Sequence, residues 1–365
     1  MAKLVGPYIV QNAARGTMPV YVCLDATDGE VEREVLSAAC EVRMLGAKCV
    51  GDLSDSDLEV ADVVAVWHTL WLDEVLLGRL KRCRAVIRMG VGYDNVDTDA
   101  AAAAGMPVCN IPDYGTEEVA DTAMALILGL YRGVLAGAEK LAAGEAIRGA
   151  DAISAAVPYV RRVRGSVLGL VGLGRIGSAV ALRAKACGFE VAFYDPGRED
   201  GADKALGIRR VGSLEALLAE SECVSLHCLC DANTAGLLGA RALGAMRAGA
   251  LLVNTARGEL VDEAALAAAL RSGRLAAAAL DVHCHEPYVR GEGPLADAPN
   301  LYCTPHSAWY SPESRAEMRR KGAEAALRAL AQPAQLAGAA LGEVLRNVVN
   351  QEALRRHAHA RIPTT

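Results

Sequence analysis

The sequence predicts an α/β fold of two parallel-sheet domains, and three observations lead there. Short valine-rich runs alternate with helix-like stretches along most of the chain, the pattern of βαβ units and a parallel sheet. At 365 residues the chain exceeds what one core usually serves. A long alanine-rich segment near residues 117–145 separates two such βαβ series.

In the first series VYVCL (20–24), DVVAVW (62–67) and AVIRM (85–89) read as buried strands, with EVEREVLSAA and DEVLLGRLKR as the helices between them. The segment that opens TEEVADTAMALILGLYRG reads as one long helix able to cross between domains. Thr116 is its expected N-cap, with Glu117 and Glu118 in the first turn. Residues 146–165 carry several breakers and read as a loop, with the basic run 161–164 solvated. The second series starts at SVLGLVGLGRIG. It continues through FEVAFYD (189–195), CVSLHC (223–228), ALLVNT (250–255), AAALDVH (277–283) and LYCTP (301–305). A helix is expected from Pro312 to about Ala331, and a looser chain beyond it. The expected division is 1–115 with 308–350 as one discontinuous domain, 116–307 as the other, and 351–365 as a tail.

Composition excludes several classes. Hydrophobic residues make up 52% and charged residues 22% of the chain, which suits folded cores and not a disordered protein. A net charge of −6 supplies no basic field, so no direct nucleic-acid partner is expected. No run reaches the roughly 18 uninterrupted apolar residues of a membrane helix, and MAKLVGPYIVQNAARG has no signal-peptide core. No membrane partner is expected, and the compartment is read as cytoplasmic or nuclear. The eleven cysteines form no CxxC pair; Cys228 and Cys230 make only a CxC, and His283–Cys284–His285 is too compact for a tetrahedral site. Reduced thiols and no metal are the expectation.

GLGRIG (172–177) is G-x-G-x-x-G, weak alone but placed here between a buried strand and a helix. Gly172 would allow the tight turn, Gly174 the approach of a pyrophosphate, and Gly177 the packing of helix on strand. With Arg175 and Ile176 they open a helix whose free N–H groups bind an anion. The next strand ends in Asp195, an acid placed for ribose hydroxyls, which favours NAD over NADP; Arg198 lies close enough to blunt that preference. A Rossmann-like NAD-binding domain follows.

Nicotinamide chemistry moves a hydride, and a carbonyl that takes a hydride must also take a proton. The reaction needs an acid/base, a carboxylate to orient it and a cation for an anionic substrate. Arg257, Glu286 and His306 each follow a predicted strand of the second series, at the strand ends where ligands bind in open α/β sheets. Singly they read as a helix-capping arginine, a solvated loop acid and a structural histidine. Together they fit catalysis.

The motifs NTARGELVDE (254–263), ALDVHCHEP (279–287) and CTPHSAWY (303–310), with GLGRIG and RMGVGYDNVD (88–97), resemble the D-isomer-specific 2-hydroxyacid dehydrogenases. The likeness is greatest to their C-terminal-binding protein (CtBP) branch. It covers roughly residues 20–330 and implies an NAD-binding Rossmann domain plus a flavodoxin-like substrate domain. It also implies that His306 is the acid/base, Glu286 its orienter, and Arg257 the holder of the substrate's carboxylate. Thr255 and Ala256 would line the cofactor beside Arg257 and His306, and Asp281 would meet the nicotinamide amide. A strand-end acid capping a turn is the alternative for Asp281. Arg88, Gly90 and Gly92 would bind the 2-keto or 2-hydroxy acid substrate, and Trp309 would wall its pocket. His68 reads as a core histidine and His227 as lying toward the adenine. The resemblance further implies a homodimer through 117–165 and, in the corepressor branch, transcription-factor peptide motifs as partners. Against that branch, residues 39–60 match its peptide cleft poorly.

Overall fold

The computed structural model describes residues 18–333 and 336–360. It divides the chain into two compact units, residues 1–114 with 311–365 and residues 115–310.

Five parallel strands form the sheet of the first unit: β1 (Val20–Cys23), β2 (Glu41–Met44), β3 (Val63–Val66), β4 (Ala85–Arg88) and β5 (Val108–Asn110). Their order, β2-β1-β3-β4-β5, is the flavodoxin-like one. Strands β1, β3 and β4 are buried throughout, which is why they read as continuous apolar runs. The sequence reading missed β2 and β5. EVRM is a half-exposed edge strand with two charges, and VCN is only three residues long. The helix Pro312–Leu330 starts one residue past Ser311, whose hydroxyl caps it, and is pinned in this unit by Arg319. That guanidinium, nearly buried, pairs with the fully buried Glu32 and with Asp28. The expected tail forms a helix over Gln351–Ala360 instead; Asn350 ties it to the unit by accepting Val108 N–H at 2.9 Å and donating to the Met106 carbonyl. Residues 361–365 lie outside the described residues.

Seven parallel strands form the second sheet: β6 (Val167–Val171), β7 (Glu190–Tyr194), β8 (Arg209–Arg210), β9 (Cys223–Leu226), β10 (Ala250–Asn254), β11 (Leu275–Leu280) and β12 (Leu301–Cys303). The order β12-β11-β10-β9-β6-β7-β8 is the Rossmann arrangement, with its reversal between β6 and β9. Two apolar clusters, one on each face, bury the sheet. The β10–β11 pairing is irregular: Ala250 pairs with Leu275 but Leu251 with Ala277, so β11 holds one extra residue, Ala276.

Three helix expectations need correction. Residues 117–145 are not one helix, since Thr116–Arg132 and Val134–Ala142 meet at 72°. Gly133 is left-handed there, at φ 62°, and a Cβ on it would come within 2.7 Å of Val160. The first helix is capped at Gly115 and not by Thr116, and it lies wholly in the second unit. The expected loop 146–165 contains the helix Ala150–Ala156, and Arg161 in the basic run lies over the Tyr131 ring while donating to the Gly249 carbonyl. Among the described residues no single helix is long and apolar enough to cross a membrane.

Candidate active site

The glycine turn follows β6. Gly172 has φ 95°, and a Cβ there would lie 2.6 Å from the Cys228 backbone nitrogen. At Gly177 a Cβ would lie 2.3 Å from the Gly172 carbonyl oxygen, so only hydrogen lets the helix Arg175–Cys187 approach its own turn. Gly174 caps that helix, and a Cβ on it would meet nothing within 4 Å. Arg175, Ile176 and Gly177 form the first turn, whose N–H groups have no partner within the helix. Asp195, just past β7, is tied to the motif. Its carboxylate accepts Leu173 N–H at 2.8 Å and Gly197 N–H at 3.0 Å. Arg198 donates its N–H to the Asp195 carbonyl at 3.4 Å.

The second cluster sits past β10, β11 and β12. Strand β10 ends at Asn254, and Thr255, Ala256 and Arg257 follow; Arg257 donates to the Ala256 carbonyl at 2.7 Å. Past β11 comes Asp281, fully buried. Its carboxylate accepts Thr304 Oγ1 at 2.6 Å, Ser307 N–H at 3.0 Å and Ala308 N–H at 2.8 Å, and its carbonyl accepts His306 N–H at 2.8 Å. The turn-capping alternative describes these contacts. They also explain why residues 308–310, expected in the other domain, belong to this unit.

Glu286 and His306 meet directly. Glu286 Oε2 lies 2.8 Å from His306 Nδ1, and Oε1 accepts His283 N–H at 3.1 Å. Their side chains are 32% and 29% exposed, so a small molecule can reach the pair. Burial pushes the Glu286 carboxyl up, but the hydrogen bond and charge of His306 and the His283 N–H together hold it below its ordinary value. His306 has φ 53°, an uncommon conformation for a residue with a Cβ. Trp309, half-buried, meets Tyr310 edge to face at 5.7 Å.

In the first unit Arg88 ends β4 and is buried, with Nε 3.2 Å from Asn95 Oδ1 and Nη1 donating to the Met89 carbonyl at 3.0 Å. Gly90 leaves room for that guanidinium, since a Cβ there would fall 1.7 Å from Arg88 Nη1, and Gly92 is buried in the same turn. His68 is exposed and not a core histidine, because the bend after β3 carries it outward. His227 follows β9 and packs against the glycine turn; burial pushes its imidazole down to about 4.

The second unit therefore brings together Arg257, Glu286, His306, Asp281 and Trp309 on neighbouring strand ends, and Asp195 with the glycines on another. A dinucleotide fits what is there. Space is open at Gly174, N–H groups are available at the helix start, and the Thr255 hydroxyl is buried without a partner. No group of three or more His, Cys, Asp or Glu among the described residues could hold a metal. Sequence reasoning missed Asn254 and Thr304 as members of the site. Their only signal was a polar side chain at the end of an apolar run.

Residues 124–308 match the model of the D-isomer-specific 2-hydroxyacid dehydrogenase NAD-binding domain. The chain is 37% identical over 284 residues to a glyoxylate reductase of Korarchaeum cryptofilum, covering 78% of this chain and 81% of that one. It is 34% identical over 352 residues to C-terminal-binding protein 1 of Caenorhabditis elegans, covering 95% of this chain but only 47% of that longer protein. Among solved structures, the NADPH-dependent glyoxylate/hydroxypyruvate reductase of Sinorhizobium meliloti, in complex with NADP and malonate, aligns at a TM-score of 0.73. It is 30% identical and covers 85% of this chain and 93% of that one.

Proposed function

The chain belongs to the D-isomer-specific 2-hydroxyacid dehydrogenase family, and from that premise we propose that it reduces a 2-keto acid to a D-2-hydroxy acid with NADH. The observation that carries the reading is the 2.8 Å Glu286–His306 pair, past β11 and β12, with Arg257 past the neighbouring β10. Gly172, Gly174, Arg175, Ile176, Gly177 and Asp195 would hold the dinucleotide, with Thr255, Ala256 and Asp281 toward its nicotinamide end.

When bound, NADH supplies the hydride. The chain's own residues then do the rest. Arg257 presents a planar fork to the substrate's carboxylate and keto oxygen. A protonated imidazole carries hydrogen on both nitrogens. Glu286 would hold the one on Nδ1, and the one on Nε2 would go to the substrate's carbonyl oxygen. Trp309 would wall the pocket against an apolar substrate tail. Asp195 supports NADH over NADPH, because a carboxylate repels a 2′-phosphate.

A homodimer is proposed through residues 117–165. Val134, Leu141 and Ile153 support it, being apolar yet 61%, 63% and 52% exposed. A second reading, an NAD(H)-sensing corepressor, is favoured by the likeness to C-terminal-binding protein 1 along most of the chain. The test is NADH oxidation with a panel of 2-keto acids, beside a pull-down with CtBP-type peptide motifs. Turnover of at least one keto acid supports the enzyme. No turnover with clear peptide capture would replace it with the corepressor.

A further inference from the structure

The geometry points to Asn254 as a positioning residue that aims Arg257, an inference that rests on the proposed role of Arg257. Asn254 ends β10 and is 1% exposed, so its side chain faces no solvent. Both ends of its carboxamide are spent on the turn that follows. Oδ1 accepts Ala256 N–H at 3.0 Å, and Nδ2 donates to the Arg257 carbonyl at 2.7 Å. The two bonds brace the short stretch between the rigid strand and the guanidinium. On the other side, the Asn254 carbonyl accepts Asp281 N–H at 2.9 Å. One residue thus touches the supports of both candidate loops, and it carries no charge and meets no reacting atom.

The carboxamide is the chemistry this place requires. The turn offers one N–H and one carbonyl, and a carboxamide presents both an acceptor and a donor on one short rigid plane. Aspartate keeps the bond to Ala256 but sets an oxygen against the Arg257 carbonyl. Alanine releases both groups into a dry site, where unmet polar groups are costly. Either change lets the turn shift, and a misplacement of about 1 Å in a positioning group can cost on the order of 100-fold in rate.

The test uses oxamate, an isosteric analogue of the smallest 2-keto acid with a methyl tail, titrated onto the NADH-loaded protein. For Asn254→Asp and Asn254→Ala we expect oxamate to bind roughly 10- to 100-fold more weakly, a larger loss than that of NADH, with Asn254→Asp still folded by its cooperative urea transition. Combined with Arg257→Ala, the Asn254 substitution should add nothing further, because it acts only through that arginine. Unchanged oxamate affinity in Asn254→Asp, or a full additional loss in the Arg257→Ala background, overturns the assignment. Should Asn254→Ala not fold, the aspartate variant, which keeps size and one bond, decides alone. If wild-type protein ignores oxamate, the proposed keto-acid chemistry fails first; if it binds oxamate and the variants bind it equally, only the role of Asn254 fails.

Discussion

Asp281 and His306 are bonded main chain to main chain at 2.8 Å, and the Asp281 carboxylate also grips the next two residues, Ser307 at 3.0 Å and Ala308 at 2.8 Å. A buried carboxylate holding backbone N–H groups makes charge-assisted hydrogen bonds, the stronger kind. They hold a histidine in left-handed backbone, which costs on the order of 1 kcal/mol or more without support.

Asp281→Asn therefore removes more than a charge. An amide cannot accept from both neighbouring N–H groups and Thr304 at once. We expect stability to fall by about 1–3 kcal/mol and kcat by about 100-fold. Urea unfolding and steady-state NADH oxidation check the two. Loss of cofactor affinity alone, with stability intact, would point instead to a direct cofactor contact.

Glu286→Gln should lower kcat by roughly 100- to 10,000-fold, the range for a disrupted acid/base, while KM changes little. The pH dependence follows from the carboxyl's lowered value. A group depressed in the fold contributes stability above its unfolded value, and that contribution is lost as pH falls through the folded value. Wild-type protein should lose stability more steeply than Glu286→Gln below about pH 4.5. Parallel acid limbs in urea titrations of the two would contradict this.

The glycine turn separates folding from binding. Gly177→Ala forces a methyl to within 2.3 Å of a carbonyl oxygen, so both stability and NADH affinity should drop. Gly174→Ala meets nothing in the protein, so it should fold normally and yet bind NADH at least about tenfold more weakly, its methyl filling the room a pyrophosphate needs. Fluorescence titration and thermal unfolding of the pair test this; normal NADH binding by Gly174→Ala would place the dinucleotide elsewhere.

Leu141→Glu should turn the proposed dimer into a monomer by setting a charge on an apolar contact. Light scattering reads this directly. A wild-type protein that is already monomeric at micromolar concentration would remove the proposal.

Much of this was legible in the sequence, and the failures share a physical cause. Strands β3, β4, β6 and β10 announced themselves because both faces are buried. Strand β2 did not, since an edge strand with a wet side tolerates Glu41 and Arg43. Gly133 looked like one small residue among many in a helical run, and only the packing of Val157 and Val160 against it reveals the corner. The chemistry-bearing Arg257, Glu286 and His306 stood out by type and by following strands. Asn254 and Asp281 were harder to see for what they hold. Apart from the Thr304 hydroxyl on Asp281, their partners are backbone groups, and backbone groups leave no letter in a sequence.

The irregular start of the β10–β11 pairing is absorbed where it occurs. Ala276, the additional residue, is looped out between Leu275 and Ala277, so the pairing beyond it runs in step to Leu280 beside Asn254, with Asp281 emerging next to it. Leu275 and Ala277 already face opposite sides of the sheet, as their partners Ala250 and Leu251 do, so removing Ala276 would leave that register and both faces as they are. The alignment of the reactive groups is thereby shielded from the irregularity at the opposite rim of the domain. A residue inserted beyond Ala277, with no bulge to absorb it, would instead slide the strand by about 3.3 Å and exchange its faces.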